Sequence, residues 1–256
     1  MKTLVLFFAG LAFVSQATAF GWLADIQIMD RTTGTTLQVY EHEGRRYVAG
    51  EPGHEYQMSV TSREGARLLA VGSVDGVNIV SGETAAANQD GYVLAPWQQM
   101  LIAGWRTSLD NTAAFYFTTV ADSYAARTGR PDDLGVIGIA LFREKVRCCA
   151  LGRRDESRER GATDKAAEPD AAAAPSASES GKLAKKDDRL GTGYGRTEYS
   201  QVVYTEFERA SNRPAEVVTI YYDSYENLRR QGVIPGVERP HEQRPRPFPG
   251  GFVPAP

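Results

Sequence analysis

Residues able to carry chemistry are sparse in this chain and rarely stand at spacings that chemistry needs. The histidines are His42, His54 and His241. His42 lies between Glu41 and Glu43, and His54 lies near Glu51 and Glu55, so pairing of their strands would bring two imidazoles toward one metal ion. Zinc sites use three or four protein ligands at defined geometry. No H-E-x-x-H run and no Cys/His spacing occurs, so neither a metal nor any other cofactor is expected. A serine hydrolase would carry a G-x-S-x-G elbow, which Gly72-Ser73-Val74-Asp75-Gly76 does not provide. Gly191-Thr192-Gly193-Tyr194-Gly195 superficially looks like a phosphate loop, but it follows no predicted strand and lacks a Gly-Lys-Ser/Thr ending; it reads as a hinge. The two cysteines, Cys148 and Cys149, are neighbours. Their Cα atoms stand ~3.8 Å apart across a trans peptide, below the ~4.4–6.8 Å range of ordinary disulfides, so they are read as incidental thiols, with a strained redox-labile pair or intermolecular bonding as the alternatives. No catalytic residue is assigned.

What remains is a set of aromatic and arginine side chains. Trp97 and Trp105 flank an apolar stretch, and Arg106 follows Trp105. Tyr124 and Arg127 are three apart on a predicted short helix and therefore share one of its faces. Tryptophan, tyrosine and arginine dominate recognition surfaces, and flat aromatic rings also suit sugar rings. Trp105, Arg106, Tyr124 and Arg127 are the candidate binding residues, with an envelope protein or a glycan as partner; the alternative is that both tryptophans are core and Arg127 pairs with Asp122 or Asp132.

The elements that must position these residues read as strands. Tyr56, Met58 and Val60 alternate with Gln57, Ser59 and Thr61; Ile26 and Ile28 alternate with Asp25 and Gln27; Leu37 and Val39 alternate with Thr36 and Gln38. This is the period of a half-buried strand. Leu68–Val74, Val77–Val80, Ala113–Thr119 and Val136–Phe142 are apolar on both faces, as central strands are. Asp75-Gly76, Asp90-Gly91 and Gly129-Arg130-Pro131 punctuate them as turns. The expected fold is all-β, an antiparallel β-sandwich with one or two short helices and a long disordered insertion. One helix is predicted at Ser123–Thr128 with Asp122 as N-cap. The other is predicted at Tyr225–Gln231 with Ser224 as N-cap and Gly232 as its stop.

The domain layout follows composition. Residues 1–19 run from Lys2 through an apolar stretch, Leu4–Val14, to Ala17-Thr18-Ala19, the order of a secretory signal peptide. That stretch is shorter than the ~20 residues a bilayer requires, and no later stretch approaches that length. The sandwich core is assigned to 20–149. Residues 150–195, including AAEPDAAAAPSASES, have too few large apolar side chains to repay their ordering entropy and are expected to be disordered. Residues 196–234 are read as a hairpin, Val202–Glu208 with Glu216–Asp223, followed by the short helix. Its strand VVTIYY is apolar on both faces, so the unit is expected to dock on the core, with two separate domains on a linker as the alternative. Residues 235–256 form a proline-rich tail. Formal net charge is −3, which gives no basic patch for nucleic acid.

The segments SVDGVNIVSGET (with VDGVN at Val74–Asn78), GYVLAPWQ, IAGWRTSLD, AAFYFT, DSYAARTGRPDDLGVIGIALF, EFERAS and PAEVVTIYYDSYENL together resemble a group of exported proteins of Gram-negative bacteria with no established activity. The resemblance implies an envelope setting and no mechanism. The expectation is a non-catalytic binding or structural module, periplasmic or secreted. A hydrolase of envelope glycan or peptide, or an adhesion or assembly component, are the alternatives.

Overall fold

The computed structural model describes residues 21–146 and 189–235. The predicted signal peptide, the cysteine pair, His241, the proline-rich tail beyond Pro235 and most of the predicted insertion lie outside the described residues. The strands in chain order are β1 (Ala24–Asp30), β2 (Thr35–Thr36), β3 (Val39–His42), β4 (Arg45–Gly50) and β5 (Glu55–Ser62). Then come β6 (Leu68–Val74), β7 (Val77–Asn78), β8 (Tyr92–Leu94), β9 (Gln99–Ile102), β10 (Gly104–Arg106) and β11 (Asn111–Thr119). A 3-10 turn (Val120–Asp122) leads to helix α1 (Tyr124–Arg127), and β12 (Val136–Arg143), β13 (Leu190–Tyr199), β14 (Glu216–Ser224) and α2 (Tyr225–Arg230) complete the chain.

These strands form two seven-stranded sheets, as the all-β sandwich reading expects. In the first, β5 is central. It pairs with β1 on one edge and with β9 and β11 on the other, while β11 also pairs with β10 and β13. In the second the order is β3-β4-β14-β12-β6-β7, with β8 also on β6. The period-two pattern holds: Ala24, Ile26 and Ile28 are buried on β1, and Tyr56, Met58 and Val60 on β5. These side chains meet Val74, Ile137, Ile139, Val218 and Ile220 of the second sheet in one apolar interior. Asp75-Gly76 forms the tight turn between β6 and β7. Both residues have positive φ, 51° and 71°, as a two-residue hairpin turn demands.

Three predictions need correction. The first is the Gly191–Gly195 run, read as a hinge inside a disordered stretch, which is part of β13 and pairs along β11. Its glycines serve close approach: a Cβ on Gly193 would lie 2.2 Å from the Tyr116 ring, and one on Gly191 2.6 Å from Ser123. The second is the hairpin of 202–208 with 216–223, which does not form. β14 has β12 antiparallel on one side and β4 parallel on the other, so no edge remains for 202–208. That segment instead crosses from the end of β13 to the end of β12, joining it through Lys145 N to Glu208 O (2.8 Å) and the Glu144–Arg209 bridge. The demand of VVTIYY for cover on both faces is met, because β14 is an inner strand of the second sheet. The third is the cap of α1, which is Ser123 and not Asp122: Ser123 Oγ accepts from Ala126 N at 3.2 Å, and Asp122 accepts from the Thr119 hydroxyl. Ser224 caps α2 as predicted, accepting from Asn227 N at 3.2 Å.

Candidate functional site

The predicted binding residues divide between interior and surface. Trp105 on β10 is 3 % exposed. It packs edge-on against Phe115 at 5.1 Å, and its indole N–H points to the Gly193 carbonyl at 3.4 Å. Arg106, one residue on, turns to the opposite side of β10, as strand geometry requires. There its guanidinium bonds the Tyr92 hydroxyl (3.1 Å) and the Ser200 hydroxyl (3.2 Å) and carbonyl, so it is committed to holding β8 and the segment after β13. Tyr124 begins α1, half-buried, with its ring 5.0 Å from Trp105. Arg127, in the last turn of α1, is exposed.

The structure adds Tyr194, which lay in the glycine-rich run and gave no local signal of its own. Its ring lies 5.2 Å from Tyr124 and is 44 % exposed. A continuous row of rings results: Tyr56 against Phe115 at 5.4 Å, Phe115 against Trp105, Trp105 against Tyr124, and Tyr124 against Tyr194. Its inner end is core and its outer end meets solvent, and Arg127 is exposed on the helix that carries Tyr124. Aromatic pairs at these separations add roughly 0.5–1.5 kcal/mol each beyond area burial, so the outer tyrosine is held on a rigid base.

Directly beneath this row lies a buried polar junction. Asp75, fully buried, accepts from the Tyr222 hydroxyl (2.6 Å), Thr192 N (2.7 Å) and Gly135 N (2.9 Å). Thr192 Oγ1 is 2.7 Å from both the Tyr222 and the Tyr56 hydroxyls. Since the Tyr222 hydrogen goes to Asp75, the donors run in file: Tyr56 to Thr192, Thr192 to Tyr222, Tyr222 to Asp75. Burial pushes the Asp75 carboxyl up to about 6 against the pull of these donors. Both its oxygens are hydrogen-bonded and enclosed, so the junction's role is to tie the two sheets: Tyr56 and Thr192 come from the first, Tyr222 and Asp75 from the second. A buried tyrosine needs a polar partner; two tyrosines on inward-facing strand positions were the sequence signal for it.

At the start of β5, His54 Nδ1 is 2.7 Å from Asp30. Burial would raise the Asp30 carboxyl, but the His54 hydrogen bond and the N–H groups of Thr33 and Thr32 outweigh it and hold it below the usual carboxylate range. Nearby, Arg31 makes a two-pronged contact with Glu198 (2.9 Å each), and Arg196 does the same with Glu55 (2.8 and 2.9 Å). These pairs fasten β1, β5 and β13 together. His42 lies on β3 of the other sheet, within 3.9 Å of Glu43, so the two histidines do not meet. Among the described residues no group of three His, Cys, Asp or Glu is placed to hold a metal.

Together, the fold and this cluster define an all-β sandwich with a ring-backed surface at one end and carboxylates engaged in structure. No family model, no curated protein and no solved structure matches the chain.

Proposed function

We propose that this chain is a non-catalytic binding module of the bacterial cell envelope, exported by its first nineteen residues and working in the periplasm or outside the cell. One observation carries the reading: the row Trp105–Tyr124–Tyr194 runs from the interior and ends on an exposed ring, with exposed Arg127 three residues after Tyr124 on the same short helix. Tyrosine and arginine on a stiff support suit docking of a partner protein, because little side-chain freedom is lost on contact. Trp105 and Arg106 act from behind this surface, one as its packed base and one as a tie between strands. The enclosed carboxyls of Asp75 and Asp30 support a binding role over acid–base chemistry, since a general acid or base must lie within hydrogen-bond reach of its substrate.

The test is cross-linking with mass spectrometry on envelope fractions, comparing the wild-type chain with Arg127→Glu and Tyr194→Ser. The expected result is a defined partner, cross-linked by the wild type, whose yield falls about tenfold or more in both variants. An unchanged partner set, or turnover of muropeptides by the purified chain, overturns the proposal.

A further inference from the structure

The opposite end of the first sheet carries a second feature. β5 runs from Glu55, beside the ring row, to Ser62, roughly 20 Å away at ~3.3 Å per residue. At that far end two tryptophans are exposed, Trp97 at 67 % and Trp22 at 56 %. Trp97 sits in the turn Ala95-Pro96-Trp97-Gln98, closed by Gln98 N to Ala95 O at 3.1 Å, with φ of 60°. With proline second and a left-handed residue third, this turn normally takes glycine or asparagine in the third place. A bulky residue there is disfavoured, and such strain concentrates where a side chain is needed for contact. The edge of the ring borders Gly65 of the β5–β6 loop, where a Cβ would lie 4.0 Å from it, while most of the side chain stays in solvent.

Trp22 stands on the other side of the same loop. Arg63 N bonds Leu23 O (2.8 Å) and Ser62 N bonds Gln98 O (2.9 Å), so the two tryptophan-bearing segments flank the end of β5. Two strand spacings, roughly 10 Å, separate them. The Arg143 guanidinium lies 4.7 Å from the Trp22 ring centre and bonds Glu64 at 2.9 Å. At the end of the loop, a cavity of about 720 Å³ is lined by Phe207 and by the Arg67–Glu144 and Lys145–Glu208 pairs.

From this arrangement we infer that the Trp22–Trp97 end binds a neutral, β-linked carbohydrate chain. The C–H face of a pyranose stacks on an exposed indole, and its hydroxyl rim bonds planar charged groups that are already paired. Alternate rings of a flat β-linked ribbon present the same face, which suits two exposed tryptophans carried by chain segments two strand spacings apart. An anionic lipid surface is disfavoured, because Arg63, Arg67, Arg143 and Lys145 are balanced by Glu64, Glu144, Glu206 and Glu208 and leave little field to attract it. An added peptide strand is disfavoured, because the N–H groups at the end of β5 are already bonded. This site is separate from the Tyr124–Tyr194 surface and does not depend on it.

The experiment is calorimetric titration of the full exported chain with cellohexaose and with chitohexaose, monitored in parallel by tryptophan fluorescence. Binding of at least one hexasaccharide is expected, weakened about tenfold or more by Trp97→Ala and by Trp22→Ala, and unchanged by Arg127→Glu. Trp97→Gly is the decisive variant: it abolishes binding while raising Tm by about 2–4 °C, because glycine relieves the left-handed backbone. The inference is overturned if neither sugar gives heat or a spectral change, if Trp97→Gly binds as well as wild type, or if anionic phosphatidylglycerol vesicles compete for Trp97 in their place.

Discussion

Asp75 serves the turn and the interior at once. Its φ of 51° shapes the two-residue hairpin, and its carboxyl gathers the donors that join the sheets. Because burial raises this carboxyl to about 6, the folded state binds more protons than the unfolded one between pH 4 and 6. The contribution of Asp75 to stability is therefore fully present below about pH 4 and is lost as pH rises through 6. Asp75→Asn keeps a residue that tolerates positive φ but sets an amide N–H₂ against either Thr192 N–H or the Tyr222 hydroxyl. Urea denaturation should show the variant destabilised by about 2–4 kcal/mol near pH 4, with the deficit shrinking by up to about 3 kcal/mol by pH 7.5. A deficit that grows with pH would refute this account. Residues such as Tyr56 were legible as inward-facing from their period. The partners of Tyr56 were not, because Asp75, Thr192 and Tyr222 come from distant stretches.

At the scale of elements, strand interiors were legible and their neighbours were not. Leu68–Val74 and Val136–Phe142 declare themselves by being apolar on both faces. The glycine-rich start of β13 declares nothing, since the reason for its glycines is the ring of Tyr116 on the adjacent strand. Glu216 illustrates the same dependence. Its carboxylate accepts from Trp22 N (2.9 Å) and Leu23 N (2.8 Å), pinning the entry of β1 to the entry of β14. Glu216→Ala should cost about 1–3 kcal/mol, as two N–H groups lose a charged acceptor. Hydrogen exchange should show faster exchange at Trp22 and Leu23, the two amides that lose their acceptor, with α1 unaffected. Equal protection in variant and wild type would mean that the start of β1 is held by packing alone.

For the whole molecule, β13 and β14 decide the architecture. β14 lies between β4 and β12, and β13 carries Thr192 into the buried junction. A chain ending at Arg147 would lose an inner strand of the second sheet and the Tyr222 and Thr192 members of the junction. It should give no cooperative thermal transition by circular dichroism, whereas the full chain should give one. A truncated chain as heat-resistant as the whole would show that residues 189–235 are accessory to a self-sufficient core.

The amino-acid order by itself determined the all-β class, the inward faces of the early strands, the Asp75-Gly76 turn and the capped helix at Tyr225. Each of these depends on neighbours within a few positions, where side-chain alternation, backbone preference and capping act. Only the tertiary structure decided that Gly191–Gly195 is a strand, that 202–208 pairs with neither β13 nor β14, that Trp105 is interior, and that Trp97 stands exposed on a left-handed turn. Those outcomes depend on which strand edges are already occupied and how closely two segments approach, and such quantities exist only once stretches far apart in the sequence have met, as Tyr116 and Gly193 do.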